Sequence, residues 1–244
     1  INTYKDSPSD MIFDTFEDMI FEGSELGHNI LGTKAALARH GTDSIRRFTG
    51  RTYTTDQMVF SSIGNFSVTT ARDTAARYLA ERHTPTRSFQ RAVPAVTPAF
   101  EKVLNKHTHQ VHCIVGARAY DINDERRVPL SLLVNILGGP SANSLLNVLL
   151  REKNGLSYNI EASYSPYNDC GFVAIYFSSE HDNADQCREL IARQIDLMRR
   201  ETLSARRLSM AKKQFLAQMA ISMENNESYM LGAGKSLLMH DDID

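Results

Sequence analysis

Arg151 and Tyr158, seven positions apart, are the two side chains whose types could do chemistry together. A guanidinium offers a rigid fork of donors and a phenol adds one more. Brought to one spot, they could hold a peptide carbonyl, or the oxyanion formed when that carbonyl is attacked. The plainer alternative is that Arg151 satisfies the last carbonyls of a helix and that Tyr158 is a core tyrosine. The residues alone leave both open. His107, His109 and His112 form a second cluster, since a His-x-His pair on a strand projects both rings to one side and can chelate zinc. His112 falls on the opposite face from that pair, and no Asp or Glu accompanies them within the strand. They therefore read as polar residues of a partly exposed strand, and no metal ligand is assigned in this chain.

Both members of the Arg–Tyr pair depend on the stretch from Leu133 to Ser165. Leu132, Leu133, Ile136 and Leu137 mark one face of a helix, which Gly138, Gly139 and Pro140 end. Ser141 stands where an N-cap belongs for a second helix from Asn143 to about Glu152, whose Leu145, Leu146, Val148, Leu149 and Leu150 make it too apolar for a surface helix. Arg151 falls in its last turn, and Gly155 is placed to close it. The letters then alternate strictly. Leu156, Tyr158, Ile160, Ala162 and Tyr164 share one face, and Ser157, Asn159, Glu161, Ser163 and Ser165 the other, as in a half-buried strand.

The remaining composition is that of a globular protein: 42% hydrophobic and 23% charged residues over 244 positions, enough for one large or two modest domains. A formal net charge of −2 supplies no basic field, so nucleic acid and anionic membrane surfaces are excluded as general partners. No run of about 18 apolar residues occurs. Cys113, Cys170 and Cys187 are too few and scattered for a disulfide framework. The chain opens at Ile1 in mid-element with no targeting signal, as a fragment or a processed product would.

Along the chain, Ser7-Pro8-Ser9-Asp10 starts a helix with its stripe at Ile12, Phe16, Met19 and Ile20. Short helices are expected after Thr33 and Thr42, a strand over Gln57–Gly64, and an amphipathic helix from Ser67 to His83. Thr84 to Pro98, with Pro85, Pro94 and Pro98, reads as an interdomain linker. Strands return over Glu101–Tyr120, and a polar loop runs from Arg118 to Arg127. Cys170–Ser178 is apolar on both faces, as in a strand covered on each side. Helices are expected over Asp182–Arg200, after a Ser204 cap, and over Glu227–Met239. A faint parallel between Ile221–Leu231 and Ile1–Met11 fits two similar domains.

The run LGGP…LLREKNGLSYNIEASY, followed by DCGFVAIYF, resembles the second domain of the pitrilysin/insulinase/mitochondrial-processing-peptidase family of zinc metallopeptidases. The stretch YKDSPSDMIFDTFEDMIFEGSELGHNILGT resembles the segment that follows that family's third zinc ligand, a glutamate. The resemblance implies an α+β fold of mixed, largely antiparallel sheets packed with helices, in LuxS/processing-peptidase-like domains. It implies a division into 1–84, the end of an incomplete first domain; 85–100, a linker; and 101–244, a second domain cut short at its end. Arg151 and Tyr158 match the family's substrate-binding Arg and Tyr, while Leu145 stands where many relatives carry an Arg. The inverted H-x-x-E-H motif is absent. The resemblance thus implies part of a zinc metalloendopeptidase, with zinc in the intact protein and none held by this chain. Its implied partners are a peptide or unfolded-protein substrate and a homo- or hetero-dimer with a zinc-bearing subunit. The alternatives are a non-catalytic scaffold or partner subunit, or a peptide-binding module.

Overall fold

The computed structural model describes residues 7–79, 91–106 and 108–243. Its helices are α1 (Pro8–Ile20), α2 (Lys34–Leu37), α3 (Thr42–Thr52), α4 (Val68–Leu79), α5 (Arg127–Gly138), α6 (Ala184–Arg200), α7 (Ala205–Met223) and α8 (Asn226–His240). A π-helical segment, Asn147–Lys153, follows α5. The strands β1 (Val111–Ala119), β2 (Ser157–Pro166) and β3 (Gly171–Ser179) form one antiparallel sheet in the order β1-β3-β2. The fold class is α+β, as expected.

The apolar run of β3 explains its central place. Ile175 and Phe177 face a core built with Val134 and Leu137 of α5, Leu146 and Leu150, and Cys187 and Ile191 of α6. Phe172 and Ala174 face the other way, against Phe16, Ile20 and Phe21. A strand that neither face exposes needs no polar alternation, so the letters of β3 do not alternate. Ring contacts such as Phe16–Phe172, with centroids 5.6 Å apart, fix α1 on the second face. Arg118 belongs to β1 rather than to a loop. Its guanidinium lies 4.5 Å from the Phe21 ring centre and donates to the Pro94 carbonyl at 3.1 Å.

Glu17 on α1 accepts a hydrogen bond from the Tyr167 hydroxyl at 3.3 Å. Burial pushes its carboxyl above the usual range, against the Tyr167 bond, which lowers it, and Asp14 and Asp18 push it further up. Burial and Glu17 in turn push the Tyr167 phenol up to about 12. Between the ordinary glutamate range and Glu17's own raised value, the folded state binds more protons than the unfolded state. Stability therefore falls as pH rises through that window. Glu17→Gln is expected to flatten this part of the curve, measured as the unfolding midpoint of both proteins from pH 4 to 8; parallel curves would refute it.

The described chain forms two compact units. One takes the chain up to Thr33 together with Ala92–Phe215, and the other takes Lys34–Arg91 with Leu216–Asp244. In the second unit, the strand expected over Gln57–Gly64 is absent: Thr55–Gln57 is a 3-10 turn, and no regular element follows until α4. Its letters suit a strand, but no described strand pairs with it, and Ser61 instead donates to the Met230 carbonyl at 2.7 Å. Likewise the strand expected from Glu101 begins only at Val111. The end of the helix expected to reach His83 lies outside the described residues.

Candidate functional site

Arg151 is carried by the π-helical segment, which Leu146 and Leu150, both fully buried, anchor to the core. The segment is entered differently from the expectation. Ser144, not Ser141, sits directly before the first helical residue; it is buried, its carbonyl accepts from Val148 N–H at 3.0 Å, and its hydroxyl accepts from Asn147 Nδ2 at 2.8 Å.

The exit is closed by backbone and by Asn154. Gly155, at φ +62°, takes the left-handed conformation that favours glycine. Its N–H donates to Arg151 O at 3.0 Å, and Leu156 N–H donates to Leu150 O at 2.8 Å. This is the nested pair of a Schellman closure, each bond wider by one residue, as a π-helical turn requires. Asn154 Nδ2 takes the Leu149 carbonyl at 2.6 Å. The carbonyls of Leu149, Leu150 and Arg151 are thus satisfied without the guanidinium. Arg151 is about half exposed, and its side chain meets only Glu152, 3.6 Å away, among the described residues. Such a surface ion pair is worth about 0–1 kcal/mol and is screened by salt.

Tyr158 departs from the strict alternation of its strand. The register of β2 against β3 shifts between Ser157, opposite Ser179, and Asn159, opposite Ser178, so Tyr158 is the unpaired residue of a β-bulge. A bulge re-aims one side chain. Ile160 and Ala162 point into the core as expected, whereas Tyr158 is 77% exposed. It is not a core tyrosine. Ser157 takes the inward place: it is buried, and its hydroxyl donates to Ser178 O at 2.7 Å. Arg151 and Tyr158 therefore sit on either side of one closed turn at the start of β2. Among the described residues no hydrogen bond or ring contact joins them; Arg151 has the surface pair with Glu152, and Tyr158 has its ring exposed.

Among the described residues the candidate histidines form no cluster. His107 lies outside the described residues, and His109 precedes β1 in a bend. His112 Nδ1 lies 2.8 Å from the Tyr176 hydroxyl, and burial pushes its imidazole below the usual range. Among the described residues no three His, Cys, Asp or Glu side chains are grouped to hold a metal ion. Ser157 and Asn154, which set the two irregular turns, were invisible as functional residues; their one signal was adjacency to Tyr158 and Gly155.

Residues 42–215 match the family description "Peptidase M16 inactive domain". The zinc protease YmxG of Bacillus subtilis, described as uncharacterized, is 30% identical over 242 residues, covering 98% of this chain and 58% of that protein. The chain spans about half the length of the curated relatives it matches. In fold, it matches the peptidase M16 inactive domain from Pseudomonas fluorescens with a TM-score of 0.83 at 18% identity, over 98% of this chain and 57% of that one. A chain of complex III2 from Candida albicans matches with a TM-score of 0.82 at 12% identity, over 100% of this chain and 60% of that one. On the match over 42–215, which includes the stretch carrying Arg151 and Tyr158, this chain belongs to the M16 peptidase family, the pitrilysin-type zinc peptidases that its sequence resembles.

Proposed function

We propose that this chain is the substrate-binding, non-metal part of a zinc metalloendopeptidase, and that Arg151 and Tyr158 together bind the carbonyl of the peptide bond to be cut. The observation that supports this is the bulge that turns Tyr158 out of the core, at the start of the strand that follows Arg151, a half-exposed side chain held by a surface ion pair with Glu152. Relatives named zinc proteases support the reaction class. The same proposal assigns 1–84 to the end of a first α/β domain, 85–100 to a linker and 101–244 to a second domain. Its partner is a zinc-bearing subunit in a homo- or hetero-dimer.

No H-x-x-E-H occurs in the sequence, and among the described residues no three His, Cys, Asp or Glu side chains are grouped to hold a metal ion, so the proposal assigns zinc to the rest of the intact protein. No step is therefore routed through the metal. This chain's own contribution is donation. As the carbonyl carbon becomes tetrahedral, negative charge builds on its oxygen, and donors already aimed there gain strength without reorganising. Among the described strands β2 is an edge of the sheet, the kind of position to which an extended peptide adds by main-chain hydrogen bonds.

In the full-length protein, hydrolysis of an unstructured peptide should be abolished by a chelator. Arg151→Ala should lower kcat/KM by about 10–100-fold, the worth of a charge-assisted hydrogen bond. Peptide binding without turnover in the zinc-loaded full-length protein would select the peptide-binding or scaffold alternative. An unchanged kcat/KM for Arg151→Ala would remove the pair's role.

A further inference from the structure

Between Gly138 and Ser144 the chain has no regular structure, yet it sets how the Arg151 segment leaves α5. Gly139 is tied back to Asn135 by its N–H, and Ser144 N–H donates to Ser141 O at 3.0 Å. A long-range polar tether on this loop comes from α7. Gln214 Nε2 donates to Ser141 Oγ at 2.8 Å and to Asn143 Oδ1 at 3.3 Å, while Asn143 Nδ2 donates to Gln214 Oε1 at 2.9 Å. Gln214 and Asn143 thus form a reciprocal amide pair across 71 positions of sequence, with the Ser141 hydroxyl as a third point.

We propose that Gln214 is a positioning residue for Arg151. The proposal rests on Arg151 binding the substrate carbonyl, as argued above. The loop that Gln214 holds ends on Ser144, whose carbonyl and hydroxyl receive Val148 N–H and Asn147 Nδ2 in the first turn of the π-helical segment. A π-helical stretch holds more residues per turn than an α-helix and persists only where its surroundings favour it. If it relaxes to α-helix, a one-residue change of register turns everything downstream by about 100° around the axis. Leu146 and Leu150 keep the segment seated on the sheet whichever way it winds, since both lie deep in the core. The tethered entrance and the Gly155 closure fix the winding, and with it the direction of Arg151. Gln214 touches neither Arg151 nor any reacting atom in this account; it acts through the loop.

The test is a double-mutant cycle in the full-length, zinc-loaded protein, reading kcat/KM on an unstructured fluorogenic peptide and peptide affinity by fluorescence anisotropy. Gln214→Ala is expected to lower kcat/KM about tenfold, the scale on which a displaced binding group acts. In an Arg151→Ala background the same change should cost less than about twofold, because the group it positions is already gone. Gln214→Glu accepts from both Asn143 Nδ2 and Ser141 Oγ, so it should recover most of the loss in rate and in affinity. Equal losses in both backgrounds, or full activity in Gln214→Ala where Arg151→Ala is impaired, would overturn the positioning role alone. If Arg151→Ala itself changes nothing, the carbonyl-binding proposal falls and this one with it. Zinc content and unfolding midpoint of each variant separate a misfolded protein from a mispositioned arginine, and Gln214→Glu keeps the test decisive if Gln214→Ala does not fold.

Discussion

Tyr158→Phe in the full-length protein is expected to lower kcat/KM toward peptides by about 10²–10³-fold, the cost of removing one oxyanion donor. The unfolding midpoint should not move. The substitution deletes one oxygen, and Tyr158 is 77% exposed with its hydroxyl unbonded among the described residues, so no packing or internal hydrogen bond is lost. The ring stays on the same bulge, held by Ser157 and its bond to Ser178 O. Tyr164 gives the internal control. It lies on the same strand, and its hydroxyl donates to Tyr120 O at 2.7 Å. Tyr164→Phe should cost about 1 kcal/mol of stability and leave kcat/KM nearly unchanged. Equal kinetics for Tyr158→Phe and wild type would show that the bulge aims the phenol at nothing that reacts.

The Arg–Tyr spacing, the Gly155 closure and the doubly covered β3 were legible in the sequence because each is a local rule: helix end, positive φ, and absence of alternation. The exposure of Tyr158 was not. Leu156 to Tyr164 alternates without a break, and a bulge arises from what the opposite strand offers, here Ser178 and Ser179 of β3. The π-helical turn that carries Arg151 was hidden for a related reason. Its letters are those of an α-helix, and the wider winding depends on an entrance held by Gln214, a partner some seventy residues on. The expected strand at Gln57–Gly64 failed in the opposite sense: β-forming residues without a partner strand stay irregular. His112 was legible as a strand residue and lies beside Tyr176 of β3, whereas His109 falls before β1 begins.

Phe177→Ala is expected to destabilise the 244-residue chain by about 3–5 kcal/mol, read as a shift in urea midpoint at unchanged slope. Phe177 has no exposed surface and lies on the central strand, opposite Cys113 on one side and Ile160 on the other. Its core neighbours come from α5, the π-helical segment and α6, so truncation opens a void that no one element can close by shifting. Phe172→Ala makes the comparable void on the α1 face, beside Phe16 and Phe21. The two variants should therefore lose similar stability and differ in function. Leu150 shares Phe177's core and directly precedes Arg151, so in full-length protein only Phe177→Ala should also lower kcat/KM among the molecules that remain folded. Equal kinetics in both variants would mean that the seating of Leu150 does not govern where the guanidinium points, leaving the loop and the Gly155 closure to do so alone.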